Sequence, residues 1–429
     1  MKNIIKKAEK LGCKIPRKKW SDIDREVSPV LRTMEKNGIK LDIELLSRLQ
    51  KKLGSRSKKL ESEIQKLAGK EFNVSSPSQL SDILFKKLKL PTVDIKRNKS
   101  GISTGAAELM KLRGEHKIVD KILEYRELSK LISTYLEPLP KLVDENSRLH
   151  TTFGEDTRTS RLTSSNPNLQ NIPIRGDFGP EIRKAFIAEP GNKLVSADYS
   201  QIELRVVACL AADKAMIDAF DSGVDIHSRT ASELFDVPVG KVTHDQRRLA
   251  KTVNFGVLYG ISPYGLSQAL GIPQSKAAEY IMRYFKVHEG IKRYCEEQIA
   301  MAKKHGYVET LFGFRRELPD IKSSNRNVYE SAQRMAINTP VQGTAAEVLK
   351  LAMIKLSSKL PKSAKMLLTV HDELIVEVPE KQSAKVAETM RSVMENEVKL
   401  CVPVEVEVGI GNNWDEAKRN VIKAKVKSL

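Results

Sequence analysis

The chain has 429 residues and carries 73 Lys and Arg against 54 Asp and Glu, a net charge of +19. That length exceeds a single hydrophobic core, so two or three subdomains are expected, and the cationic excess suits a polyanion-binding surface. No stretch of about 18 apolar residues is present, and residues 1–20 are too charged for a signal peptide. Cys13, Cys209, Cys295 and Cys401 are far apart with no C-x-x-C pair, which reads as four reduced thiols in a soluble intracellular protein rather than a zinc or disulfide framework.

Residues 1–21, with Lys2, Lys6, Lys7, Lys10 and Lys14, form a basic leader expected to be disordered or loosely packed. From Ser28 to Leu60, leucine spacing predicts helices broken near Asn37-Gly38 and at Gly54, with a cationic tip at residues 54–59 and helix resuming through Leu60, Ile64 and Leu67. A turn follows at residues 72–77, and Ser78 is expected to cap a helix through Phe85. Residues 91–105 are the most loop-like stretch, and helical pattern returns from Ala106 to Tyr135. Residues 150–175 lack apolar periodicity but are rich in hydrogen-bonding side chains.

KLVSADYSQIELR (193–205) predicts a strand to Ala197, then Asp198, then a helix over 200–211 carrying Glu203 and Arg205. In DQRRLAKTVNFGVLYG (245–260), Arg247, Lys251, Phe255 and Tyr259 recur every four residues, so a helix sets them in one drifting stripe. Two cations followed by two aromatics make a poor core but could meet a triphosphate and stack on a base and sugar. Further helices are expected over 262–305, with a break at Gly271-Ile272-Pro273. Arg334, Asn338 and Gln342 share the four-residue spacing, although Pro340 should end or kink the helix before an apolar helix over 343–360. Residues 366–370 and 374–378 predict a hairpin with His371, Asp372 and Glu373 at its tip, and residues 402–408 a last strand. Taken alone, Asp198 reads as a helix cap and His371-Asp372 as a polar turn; the striped helix between them favours a shared hard-oxygen site suited to Mg²⁺.

DYSQIELR, RRLAKTVNFGVLYG and VHDE stand in the order of the three polymerase motifs of family A DNA polymerases, and the chain resembles the Klenow-type polymerase part of bacterial members from about Glu26 to Trp414. RLTSSNPNLQNIPIR (161–175), DIHSRTASELF (225–235), GYVETLFGFRRELPDIKSSN (306–325) and RMAINTPVQGTAAEVLKLAM (334–353) extend the similarity. The resemblance implies a multi-subdomain α+β fold of right-hand type, with an antiparallel-sheet palm, helical fingers and a helical thumb. Its boundaries would be a leader at 1–21, palm from 22–42, thumb over 43–135, palm over 136–212, fingers over 213–336 and palm over 337–429. It also implies template-directed addition of deoxynucleotides to a primer 3′ end, by a monomer acting on primer-template DNA and dNTPs in the cytoplasm, nucleoid-associated if bacterial. A proofreading exonuclease domain or its remnant normally precedes the polymerase part, and the residues ahead of it here leave no room for one or for a 5′ nuclease.

By the same resemblance, Asp198, Asp372 and the Tyr199 carbonyl would hold two Mg²⁺ ions, with Mn²⁺ able to substitute and Glu373 backing the pair. Arg247, Lys251 and His227 would bind phosphates, with Lys251 the proton donor to the leaving group. Gln201, Phe255 and Tyr259 would face the nucleotide, and Glu203 with Tyr259 would exclude a 2′-hydroxyl. Phe at 255, where the family has Phe or Tyr, is the version that discriminates against sugars lacking a 3′-hydroxyl. Arg161, Asn168, Gln170, Asn171, Arg334, Asn338, Gln342 and His371 would contact primer and template. The family usually has Gly before this Arg, where Ser160 stands here. The rival readings are an RNA polymerase or reverse transcriptase on the same palm, and an inactive nucleic-acid-binding protein.

Overall fold

The computed structural model describes residues 8–98, 101–155, 158–174 and 176–422. Two compact units divide the chain: one spans 39–150 and 172–187, the other the rest.

The first unit is built on the helix Ile43–Ala68, which Asp42 caps by accepting the Leu45 N–H at 2.8 Å. Leu46, Leu49, Leu53, Leu60 and Ile64 are buried along one face, and the helix runs straight through Gly54. A mid-helix glycine costs only about 1 kcal/mol, too little against that buried face. The true stop is Gly69, at φ +64°. Residues 54–59 therefore lie mid-helix rather than at a tip, and Arg56 pairs with Glu124 at 2.8 Å on the helix Lys117–Leu131. The cap of the next helix is Ser76, not Ser78, because Pro77 occupies the first helical position, where its missing N–H costs nothing. The span from Ala106 to Tyr135 is two helices, Ala106–Lys111 and Lys117–Leu131, separated around Gly114 at φ +91° and continued by a wide turn at Ile132–Leu136.

In the second unit the helices include α1 (Trp20–Asn37), α2 (Ile202–Ala211), α3 (Lys214–Asp221), α4 (Ile226–Phe235), α5 (His244–Leu258), α6 (Pro263–Leu270), α7 (Gln274–Val287), α8 (Glu289–His305), α9 (Arg326–Lys359), α10 (Ser383–Asn396) and α11 (Trp414–Arg419). Its main sheet comprises β1 (Asn192–Tyr199), β2 (Lys365–Val370), β3 (Glu373–Pro379), β4 (Val406–Gly411) and β5 (Val421–Ile422), in the order β2-β3-β1-β4-β5 and antiparallel throughout. The strand β1 is central and extends through Asp198, whose register partners are Glu373 on β3 and Glu407 on β4. Paired residues share a face, so these three acids point the same way.

Four expectations change in this unit. Of the basic leader, Lys2, Lys6 and Lys7 lie outside the described residues. The part that is described is pinned: Lys14 and Lys399 exchange backbone hydrogen bonds, and Ala8 and Cys13 are buried. Cys209 and Cys401 form a disulfide, a pairing across 192 residues that no local spacing could announce. Pro340 does not end its helix. The 34-residue α9 passes through it with Ala336, Ile337, Val341 and Val348 buried around it, which outweighs a proline cost of about 3 kcal/mol, while Tyr294 Oη donates to the Ile337 carbonyl at 2.9 Å. The last predicted strand starts at Val406 rather than at 402, since Pro403 has no N–H to give a ladder, and it continues through Gly409 and Gly411.

Candidate active site

The hairpin β2–β3 turns at His371-Asp372, with His371 at φ +59°, and the Tyr199 N–H at the end of β1 donates to the Asp372 carbonyl at 3.2 Å. The two acidic corners are thus neighbours. Asp198 keeps Oδ1 buried without a hydrogen-bond partner among the described residues, while its Oδ2 accepts from Lys418 on α11. Burial, followed by the Asp198 charge, pushes the Asp372 carboxyl up to about 7. Burial alone would lower the Lys418 ammonium, but Glu373 and Asp198 outweigh it and raise it. Clustered hard carboxylate oxygens, one of them buried and without a partner among the described residues, beside the Lys418 ammonium fit a divalent metal.

Trp414 and Lys418 stand four residues apart on one face of α11. Trp414 Nε1 donates to Glu373 Oε1 at 3.0 Å, and Ser196 Oγ donates to the same oxygen at 2.5 Å. Glu373 is consequently buried beneath α11.

Thr243 and Gln246 form a reciprocal capping box that starts α5. The helix presents the predicted stripe, with Tyr259 as its C-terminal cap. Arg247 is held by both oxygens of Asp225, at 2.8 and 2.9 Å; Asp225 also caps α4. Burial raises the Asp225 carboxyl, but the bonds from Arg247 and Ser228 overcome this and bring it down to about 2. A cavity of about 500 Å³ is lined by Asp198, Tyr199, Arg247, Lys251, Glu405 and Glu407. A second cavity, of about 520 Å³, shares Gln201 and Lys251 with it. Asp372, His371, Gln170, Gln342 and Arg161 line this second cavity together with Glu203, His227, Phe255 and Tyr259. Lys251 and Gln201 therefore sit where a ligand spanning both spaces would pass.

Both oxygens of Glu203 are engaged, one by Arg161 Nη2 and the other by Tyr259 Oη. Burial, then Glu203, raises the Tyr259 hydroxyl, so it is held as a donor. Phe255 stacks on Tyr259 with centroids 6.2 Å apart and lies 5.8 Å from His227. His227 is 1% exposed, and burial is the chief cause that pushes it down to about 4. Asn254 Nδ2 lies 3.0 Å from His227 Nδ1, and Thr230 Oγ1 donates to Asn254 Oδ1, which orients the amide. His227 is then a neutral imidazole that accepts at Nδ1 and offers an N–H at Nε2, an atom without a partner among the described residues.

The remaining residues expected along primer and template are more dispersed. Gln170 Nε2 donates to the Leu162 and Thr369 carbonyls, tying its loop to β2. Asn168 is exposed and accepts the Gln170 N–H; Asn171, three residues after Asn168, is exposed as well. A Cβ at Gly260, which follows the stripe at φ +67°, would meet Arg334 Cγ at 3.0 Å. Asn338 Oδ1 is buried without a partner among the described residues. Sequence reasoning missed Lys418, Asp225 and Asn254. Asp225 was visible as an acid opening a helix, but its pairing with Arg247 spans two helices and leaves no periodic trace.

A β1–β3 carboxylate corner faced by a cationic and aromatic helix defines the class of palm-type nucleic-acid polymerase folds. Comparison with known proteins narrows this: the model for DNA polymerase family A matches residues 43–416, and the chain belongs to that family. It is 48% identical over 402 residues to "DNA polymerase I, thermostable" of Thermus aquaticus, covering 93% of this chain and 48% of that protein. It is 48% identical over 405 residues to DNA polymerase I of Deinococcus radiodurans, covering 94% and 42%. The chain spans about half the length of the curated relatives it matches. Among solved structures, the POL domain of Pol1 from M. smegmatis, in complex with DNA primer-template and dNTP, aligns with a TM-score of 0.88 and 38% identity, covering 92% of this chain and 70% of that one. The expected α+β class holds, and no helix among the described residues is long and apolar enough to cross a membrane.

Proposed function

We propose that the chain is a template-directed DNA polymerase that extends a primer 3′ end with deoxynucleotides, working in the cytoplasm on primer-template DNA. The observation that carries the reading is the adjoining of Asp198 and Asp372 beside the α5 stripe. Divalent metal use goes with the family; here Asp198, Asp372 and the Tyr199 carbonyl would hold two Mg²⁺, or Mn²⁺ in their place. Such ions, when bound, acidify a 3′-hydroxyl and neutralise charge on a triphosphate and its leaving pyrophosphate.

The chain's own residues supply the rest. Arg247, fixed by Asp225, and Lys251 would offer positive charge to the phosphates, and Lys251 would give a proton to the leaving group. His227 adds an uncharged N–H donor. Phe255 and Tyr259 provide the stacking face for base and sugar, and Gln201 lines the same space. Glu203, locked by Tyr259 and Arg161, closes the floor where a 2′-hydroxyl would need room. Arg161, Gln170, Gln342 and His371 are proposed to track the primer terminus, and Asn168, Asn171, Arg334 and Asn338 the strands beside it. Residues 43–135 are read as thumb, 213–336 as fingers, and 22–42, 136–212 and 337–429 as palm.

The test is to incubate an end-labelled primed template with Mg²⁺, with and without dNTPs. Lengthening only with dNTPs is expected, whereas shortening or no change refutes the reading. Asp198→Asn and Asp372→Asn should each abolish extension while primed template still binds in a gel-shift assay. Supplying rNTPs, or an RNA template, separates the RNA polymerase and reverse transcriptase alternatives.

A further inference from the structure

Three cysteines of the second unit converge. Their sulfur atoms lie within 4.8 Å of one another: Cys209 near the end of α2, Cys401 in the loop before β4, and Cys13 in the N-terminal segment. Cys209 and Cys401 are bonded, while Cys13 is a buried free thiol. The position of Cys13 is fixed by its neighbour: Lys14 N–H donates to the Lys399 carbonyl at 2.8 Å and Lys399 N–H to the Lys14 carbonyl at 3.2 Å. The Cys401 N–H points into the cluster and donates to Cys209 Sγ at 3.0 Å. Cys401 is the partly exposed member, the other two being 3% and 5% exposed.

We propose that these residues form a thiol–disulfide exchange site in which Cys401 is shared between two alternative links, Cys209–Cys401 and Cys13–Cys401. In the exchange the Cys13 thiolate attacks Cys401 Sγ, a Cys13–Cys401 bond forms as the Cys209–Cys401 bond breaks, and Cys209 leaves as a thiolate that takes up the proton Cys13 gave. Two electrons stay in one disulfide throughout, so no outside oxidant is needed. A small thiol such as glutathione reaches the partly exposed Cys401 first, and either buried cysteine then displaces it. Burial holds the Cys13 thiol up at about 11, which keeps the thiolate fraction small and the exchange slow. The first link ties α2, the helix that carries Glu203, to the loop entering β4; the second releases α2 and clamps the N-terminal segment to the same loop.

The full chain would be equilibrated in a mixed buffer of reduced and oxidised glutathione, quenched by alkylation, digested without reduction and mapped by mass spectrometry. Both Cys209–Cys401 and Cys13–Cys401 peptides are expected, with Cys13 alkylation lost in proportion to the second. In Cys209→Ser the Cys13–Cys401 peptide should accumulate and Cys13 alkylation should disappear. Finding only Cys209–Cys401 or no disulfide in the unaltered chain, a Cys13–Cys209 link, or free Cys13 and Cys401 in folded Cys209→Ser would each overturn the proposal. Native mass spectra showing one zinc held by three unoxidised thiols would do the same. Because the map of the unaltered chain stands alone, failure of the variant to fold leaves the proposal exposed to refutation.

Discussion

Ser160 holds φ at +58°, and its buried Oγ has no hydrogen-bond partner among the described residues. A non-glycine residue pays about 1–2 kcal/mol for that conformation, against the roughly 0.4–1 kcal/mol of entropy a glycine adds to the unfolded chain. Ser160→Gly should therefore stabilise by about 1 kcal/mol, read as a higher thermal midpoint. Glu203 is the residue on which discrimination rests. Glu203→Ala frees Tyr259 and Arg161 together, and the expected result is ribonucleotide incorporation at the expense of deoxynucleotide efficiency, measured by parallel rNTP and dNTP extension. At this scale the sequence revealed which residues matter, because carboxylates at strand ends and a four-residue stripe are local patterns. It did not reveal their states. That His227 is uncharged follows from burial between α4 and α5, and that Lys418 sits on Asp198 follows from packing of a helix at the far end of the chain.

The helix α11 reaches that position because two glycines of β4 let it approach. A Cβ on Gly409 would lie 2.1 Å from the Ala417 carbonyl oxygen, and one on Gly411 would lie 2.4 Å from the Ala417 nitrogen. Gly411→Ala must push the helix off the sheet, at an expected cost of about 1–3 kcal/mol in denaturant titration. Because Trp414 would lose its bond to Glu373, its fluorescence should shift in a Trp20→Phe background. The same glycines explain why the end of the strand was misplaced: glycine commonly marks a stop, and only the partner helix gives it a reason to stay in the ladder. Helix breaks failed for a related reason. Gly54 and Pro340 are breakers by local preference, but each lies in a helix whose neighbouring turns bury a long apolar face, and burial is a tertiary quantity. The hairpin β2–β3 and the helices α6 and α7 were legible because turn residues and periodicity agree there.

Within the second unit, α3, α4 and the α7–α8 junction converge on one buried charge. His288 Nδ1 lies 3.0 Å from Asp213 Oδ1, which caps α3, and Nε2 lies 3.5 Å from Glu233 on α4. Burial would lower this imidazole, but Asp213 and Glu233 outweigh it and raise it to about 9. At a pH below about 6.5 the ring is protonated both folded and unfolded, so the added stability is complete; as pH rises towards 9 the unfolded ring is already neutral and the advantage drains away. Thermal midpoints should fall across that window, and the fall should flatten in His288→Gln. The sign of the net charge and the presence of more than one unit were readable from composition. The disulfide and this triad were not, since each joins segments that share no local pattern.

The central place of β1 has a dynamic consequence. With β3 on one side and β4 on the other, its amides lie inside the ladder along most of its length, whereas β2 and β5 are outermost. Partial openings that peel a sheet begin at its borders, so Asp198 rides on the strand whose protons exchange last with solvent. Fraying of β5 can thus come and go while Asp198 stays held between β3 and β4.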